Sequence, residues 1–292
     1  MTDEPEEPAA PAKWLPKIGP RVLIIPIALL VACVAYLALM LSTTGLALGI
    51  DLTGGTQITA DSPAAVNLAE LEKVLKDWDA EIRTARSVTG WSVLITLPAD
   101  INPDDVISSL NAAGYAFDYS VQTIGPALGR AFFSQAQLAL AIAFIAMAAV
   151  VFMLFRTLLP SSYTILVAAA DIAEALAISQ LLGIELTLAT FAALLLLIGY
   201  SIDSNVLLTA RVLLSSEGDI ADRISGARKT GLTMAGTTIT VLAILLFAAP
   251  AGIIRQIAAV LLIGLLFDIL NTWLINAQLL RRYAERRQRL LA

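Results

Sequence analysis

The sequence predicts an α-helical membrane protein: six transmembrane helices with one extracytoplasmic α+β domain between helices 1 and 2. Composition is the first reason. Of 292 residues, 58% are hydrophobic and 15% charged, against roughly 45–50% and ~25% in soluble globular chains. The mean hydropathy is +0.80. The second reason is six apolar stretches, most near the ~20 residues that a bilayer core needs as helix. The third is a long polar interval, 42–130, in which strand and helix signals alternate.

The chain opens with an acidic, Pro-rich tail, 1–20, that reads as disordered and cytoplasmic. The first span is Val22–Leu41, twenty residues without a charge. A cleavable signal is the competing reading, because Lys13, Lys17 and Arg21 precede it and Ala47-Leu48-Gly49 resembles a small-residue cleavage site. A signal core is only ~7–15 residues long and is not followed by five more spans, so the stretch reads as an uncleaved anchor.

The interval 42–130 then reads strand by strand. Gln57–Ala60 follows Gly54-Gly55 as a strand. Asn67 caps a helix over Leu68–Trp78, with Leu68, Leu71, Leu75 and Trp78 on one face. Glu81–Val88 and Trp91–Leu97 are strands joined by a turn at Thr89-Gly90. Asn102-Pro103 opens a second helix to Ala113, which Gly114 closes. Phe117–Thr123 is the last strand. The order is βαββαβ, which is the ferredoxin-like arrangement.

Five spans follow, at Leu138–Phe155, Ser161–Leu182, Leu186–Leu214, Leu232–Ala249 and Gly252–Leu279, and a basic tail occupies 280–292. Short connections favour antiparallel neighbours in a bundle. With both termini in the cytoplasm, thirteen of the nineteen Lys and Arg lie on the cytoplasmic side, as the positive-inside rule requires. The tail from Arg281 to Arg289 reads as a stop-transfer anchor or as a docking site.

Several function classes are excluded. There is one cysteine, Cys33, and no histidine, so no disulfide framework, Cys/His zinc site or His-based acid–base chemistry is expected. None of the five lysines follows a glycine, so no Walker A loop is present. No basic run lies outside the membrane flanks, which argues against a nucleic-acid partner. The expectation is a protein without cofactor or metal that is not an enzyme and whose surroundings are membrane lipid.

The informative residues are the intramembrane acids Asp171, Glu174, Asp203 and Asp268, in three different spans. An acidic residue at a helix centre costs about 2.5–3.5 kcal/mol. These carboxyls must therefore face the bundle, pair, hold protons or line water. Asp171 and Glu174 are three apart and share a helix face, so a proton shared between them is expected. The functional reading is an ion or proton relay, with Asp203 foremost because it lies among Ser201, Ser204 and Asn205. The alternative is interhelical hydrogen bonding. Arg211 and Arg255 lie near span ends and snorkel. Thr233, Thr237, Thr238 and Thr240, with Gly231 and Gly236, either pack helices closely or line a polar path.

Two segments carry a family resemblance. Gly49-Ile50-Asp51-Leu52-Thr53-Gly54-Gly55-Thr56, directly after span one, resembles the first signature of the SecD and SecF protein-export membrane proteins. Its functional positions here are Gly49, Asp51, Gly54 and Gly55. Gly199-Tyr200-Ser201-Ile202-Asp203-Ser204-Asn205 in span four resembles their second signature, with Gly199, Tyr200, Ser201, Asp203 and Asn205 as the matching positions. The short chain and single small domain resemble the SecF branch in its archaeal form. The resemblance implies a half-transporter similar to the resistance–nodulation–division group. It implies SecD and a SecYE-type translocon as partners, translocating preproteins as clients, and a link to the proton-motive force. It places the protein in the cell membrane, with accessory work in protein export. Three positions depart from the bacterial SecF pattern: Ser204 and Ala170 stand at an Asp and a His, and Thr230 at an Arg. A related exporter of a lipid or small molecule, and a passive translocon scaffold, are the other readings. An intramembrane aspartyl protease is excluded, because Asp203 follows Ile202 and Asp268 follows Phe267.

Overall fold

The computed structural model describes residues 23–62, 67–78, 80–87, 90–98, 100–115, 117–215, 218–249 and 252–291. The tail 1–20, with Lys13 and Lys17, Arg21, and Thr89 of the expected hairpin turn lie outside the described residues. Among those described, six helices are long and apolar enough to cross a membrane. They are α1 (Ile24–Thr43), α5 (Pro126–Phe155), α6 (Leu158–Leu181), α7 (Leu188–Leu214), α8 (Ile220–Ala248) and a composite last helix. The last begins as α9 (Ile253–Leu270), widens into a π-helical stretch (Asn271–Asn276) and ends as α10 (Ala277–Leu291).

The helix ends differ from the apolar boundaries. The helix of span two begins at Pro126 rather than at 138, and that of span five at Ile220 rather than at 232. Likewise, the residues expected as a basic tail are helical to Leu291. Apolarity marks where lipid begins, whereas local chemistry marks where a helix begins. Gly125 precedes Pro126 at the first turn of α5. Asp219 and Asp222 form a reciprocal capping box at α8, with the Asp222 N–H donating to Asp219 Oδ1 at 2.8 Å.

The soluble domain is built from β1 (Gly55–Ser62), α3 (Leu68–Val74), β2 (Glu81–Ser87), β3 (Gly90–Leu97), α4 (Pro103–Ala112) and β4 (Asp118–Ile124). The sheet order is β2-β3-β1-β4 and every neighbour is antiparallel, the ferredoxin-like arrangement that the order of elements implies. Alternation along β1 and β3 sends Ile58, Ala60, Val93, Ile95 and Leu97 to one face. Leu71 and Leu75 of the first helical segment and Val106 and Leu110 of α4 cover that face. Asn102 Oδ1 accepts from the Asp104 N–H at 3.2 Å and caps α4. Asn67 occupies the cap position of α3 but makes no side-chain capping bond. Its carbonyl accepts from the Glu70 and Leu71 N–H groups instead. Leu68, expected on the covered face, is exposed.

The domain is stitched to the membrane bundle where the chain leaves α1. The short helix α2 (Ile50–Thr53) ends in Gly54 and Gly55, with φ of +82° and +138°. A Cβ on Gly54 would lie 2.5 Å from Pro126 Cα, and one on Gly129 would lie 2.6 Å from the Gly54 nitrogen. The segment leaving the membrane and the helix returning to it are thus in backbone contact. Just before this elbow, the Gly49 N–H donates to the Leu186 carbonyl at 2.9 Å, and the Leu186 N–H to the Ala47 carbonyl at 2.8 Å. Gln180 holds both backbone groups of Ala47.

Within the bundle, α6, α7 and α9 form the centre. A Cβ on Gly264 would meet Leu197 at 2.3 Å, so glycine lets α9 lie hard against α7. Gly231 of α8 does the same for the Trp273 ring. Helix α1 lies at the periphery, with only Pro26 and Cys33 buried.

Candidate functional site

The central helices bring three of the four intramembrane acids together. Asp171 and Glu174 face inward from α6 and Asp268 from α9, and each is fully buried. Asp171 lies ten residues from one end of α6 and thirteen from the other, about 15 and 20 Å at 1.5 Å per residue. The group therefore sits near the middle of the ~30 Å hydrocarbon core.

Each carboxyl is held by named donors. Ser201 Oγ donates to Asp171 Oδ2 at 2.6 Å. Asn271 Nδ2 donates to Asp171 Oδ1 at 2.8 Å and to Glu174 Oε2. Thr272 Oγ1 donates to Asp268 Oδ1 at 3.0 Å. The π-helical stretch presents Asn271 to both carboxyls, so one amide bridges Asp171 and Glu174. The carboxyls of Asp268 and Glu174 both neighbour Asp171, and Asp268 also lies beside Ser201 and Ser204. Asp268 Oδ2 and Glu174 Oε1 are buried with no donor among the described residues. No ion pair with Lys or Arg reaches any of the three among the described residues.

The network continues along α7. Asn205 Nδ2 donates to the Ser201 carbonyl at 2.8 Å and to Ser201 Oγ at 3.2 Å. Asn276 Nδ2 donates to Asn205 Oδ1. Asn271 and Asn276 are visible in the sequence as polar residues of the last span, but nothing there gives them, or Thr272, a role. The available signal was three amide and hydroxyl side chains within six residues of an otherwise apolar span. A π-helical stretch inside an α-helix is a frequent mark of function.

Asp203 lies outside this network. It is exposed on the outer face of α7, as is Gly199, while Ser201 and Asn205 of the same signature are fully buried. On α8, Thr233, Thr237 and Thr240 also face outward, with their hydroxyls donating to backbone carbonyls of their own helix. Tyr200 is 36% exposed.

The residues of the first signature build the domain–membrane junction. Asp51 accepts from Gln122 Nε2 at 3.4 Å and lines a polar cleft of about 210 Å³ with Gln57, Glu185 and Gln256. Across the junction, Arg83 of β2 meets Glu185 of the α6–α7 loop at 3.1 Å and donates to the Gly183 carbonyl at 3.0 Å. Burial pushes the Glu185 carboxyl above its ordinary range, against the opposing pull of Arg83. Glu185 therefore binds its proton more tightly when the domain is docked than when it is free. Docking is favoured as pH falls through the range of Glu185, and that increment is lost as pH rises through it. Hydrogen-exchange protection of β2, corrected for intrinsic rates, is expected to fall modestly with rising pH and to become flat in Glu185→Gln.

A six-helix membrane bundle with a ferredoxin-like domain inserted after its first span, and a carboxyl–amide network at its centre, defines a narrow class of multi-pass membrane protein. Comparison with known proteins places the chain within it. The model of the family Protein export membrane protein SecD/SecF, C-terminal, matches residues 105–286, and that of the SecD/SecF GG motif matches residues 40–61. The Protein-export membrane protein SecF of Methanocaldococcus jannaschii is 40% identical over 271 residues, covering 89% of this chain and 93% of its own. That of Pyrococcus furiosus is 40% identical over 246 residues, 82% of each chain. The crystal structure of SecDF, a translocon-associated membrane protein from Thermus thermophilus, superposes with a TM-score of 0.73 at 22% identity. The match covers 90% of this chain and 38% of that longer one. The chain belongs to the SecF proteins of the SecD/SecF family of protein-export membrane proteins.

Proposed function

We propose that this chain works in protein export as the SecF half of a SecD–SecF pair, and that its central carboxyls exchange protons as it works. The family relationship supports export. The observation that carries the mechanism is the burial of Asp171, Glu174 and Asp268 together near mid-membrane, with Asp268 Oδ2 lacking a donor among the described residues. A site of this kind takes up and releases a proton with a change in the packing of α6 against α9. A membrane potential supplies about 2.3 kcal/mol per charge per 100 mV, enough to bias such a packing change.

The outward Asp203 supports the pairing. A carboxylate facing lipid at mid-span is unfavourable by about 2.5–3.5 kcal/mol, and a second six-helix half laid over α7 and α8 removes that exposure. The basic residues at the ends of α7 and α10 favour cytoplasmic termini, with the ferredoxin-like domain on the outer side near a Sec translocon and its preprotein. The relatives named here are export proteins, so the lipid-exporter reading is not favoured.

Pulse–chase of a secreted preprotein, in cells depleted of this chain and complemented with variants, tests the reading. Asp171→Asn keeps the shape of the network and is expected to slow maturation about tenfold or more with the SecD-type partner still co-purifying. Asp203→Leu is expected to weaken co-purification. Maturation at the wild-type rate with Asp171→Asn would sink proton exchange and leave the passive scaffold.

A further inference from the structure

The C-terminal helix carries a feature outside the central carboxyl–amide site. Beyond the last span, α10 diverges from the first turns of α6 and leaves an open groove of about 640 Å³, a size typical of small-ligand sites. On one wall are Leu159 and Tyr163, four residues apart on α6. On the other are Arg282, Tyr283, Arg286 and Arg289, at three- and four-residue spacings along one face of α10. The acidic residue of the groove, Glu285, is engaged by Arg281 at 2.8 Å. Arg282, Arg286 and Arg289 are exposed and form no ion pair among the described residues.

The two walls of this groove have different chemistry. On the α6 wall, Leu159 is 55% exposed and Tyr163 follows it one turn further along a helix that continues into the hydrocarbon core. On the α10 wall stand the guanidinium groups of Arg282, Arg286, Arg287 and Arg289 with the ring of Tyr283. A stop-transfer anchor needs positive charge beyond the span but has no need for that charge to line one side of a concave wall with tyrosines. Guanidinium groups bind phosphate through paired N–H donors, and basic pockets between helices at a membrane boundary suit anionic head groups. A ligand that is apolar in one part and carries a phosphate in another matches both walls.

We propose that this groove binds one anionic phospholipid. Its phosphate lies against Arg282, Arg286 and Arg289, and the first carbons of a chain run along Leu159 and Tyr163. The bound lipid fastens α10 to the membrane boundary. The inference does not depend on the export reading.

The test uses the full chain in non-ionic detergent, with lipid adducts counted by native mass spectrometry. The probes are dioleoyl phosphatidylglycerol, dioleoyl phosphatidylcholine and inorganic phosphate. The variants are R282Q/R286Q/R289Q in the groove and R211Q/R228Q/K229Q, which removes equal charge from α7 and α8 at the same membrane boundary. Both are required to elute from gel filtration as the wild type does. The first phosphatidylglycerol adduct is expected at a concentration at least about tenfold below that for phosphatidylcholine. The groove variant loses that preference, the control variant keeps it, and millimolar phosphate does not displace the lipid. Retention of the preference in the groove variant overturns the proposal, as does equal loss in the control. Displacement by phosphate would mark a free-anion site and overturn it as well. Equal adducts with both lipids would also overturn it, pointing to a protein partner for this face.

Discussion

Gly54→Ala is expected to abolish accumulation of the folded chain. A Cβ there would lie 2.5 Å from Pro126 Cα and 2.7 Å from its nitrogen, with the backbone at φ +82°. The opposing atoms are main chain at the head of α5, so no rotamer change relieves the overlap. Gly129 closes the contact from the other side, 2.6 Å from the Gly54 nitrogen. Overpacking of this kind costs about 3 kcal/mol or more, a large share of a typical stability of 5–15 kcal/mol. Two other glycines separate backbone conformation from close approach. Gly45 has φ +75° with nothing within 4 Å of a Cβ, so Gly45→Ala should lose only about 1–2 kcal/mol. Gly125 has φ −66° and open space, so Gly125→Ala should be close to neutral. Yield and melting temperature in detergent measure all three. A Gly54→Ala protein that melts with the wild type would refute the backbone contact.

Asn271→Leu is expected to be the next most damaging change. The leucine fills a similar volume but leaves Asp171 Oδ1 and Glu174 Oε2 without their common donor. A buried acceptor left without its donor costs about 1–3 kcal/mol, and hydrogen bonds between membrane helices sit toward the lower end of that range. The expected loss is about 2–4 kcal/mol for the two acceptors together. A double-mutant cycle with Glu174→Leu isolates the shared part: the pair should be less destabilised than the sum, because the second change removes one orphaned carboxyl. Additive losses within about 0.3–0.5 kcal/mol would show that the amide does not couple to Glu174.

The central site was half legible. A three-residue spacing on one helix placed Asp171 and Glu174 on a common face, since that relation is local. Nothing local places Asn271 between them, a hundred residues later in the chain. That depends on the π-helical stretch, which alters the facing of the last span near its middle. Asp203 shows the same limit from the other side. Its neighbours Ser201 and Asn205 point into the bundle, and a helix period of 3.6 residues turns Asp203 away from them. Which of the two faces is the inner one was set by Leu197 packing on Gly264, a contact between α7 and α9. Helices α5 and α8 start before their apolar stretches for another reason: hydropathy reports contact with lipid, while caps and proline report where the helix starts.

By itself the sequence determined the membrane class, the place of the soluble domain between the first two spans, and its βαββαβ order. It also held both family signatures. All of these are written in local terms, as runs of apolar residues, alternation, capping residues and short motifs, and local terms survive without knowledge of the fold. Only the tertiary structure decided that Asp268 is buried beside Asp171, that Asn271 bridges Asp171 and Glu174, and that Asp203 faces out. It alone joined Gly54 to Pro126 and Gly129, and Arg83 to Glu185. These contacts link residues far apart in the chain, and their geometry follows from how closely particular helices approach, which small residues such as Gly264 and Gly129 permit and no single segment specifies.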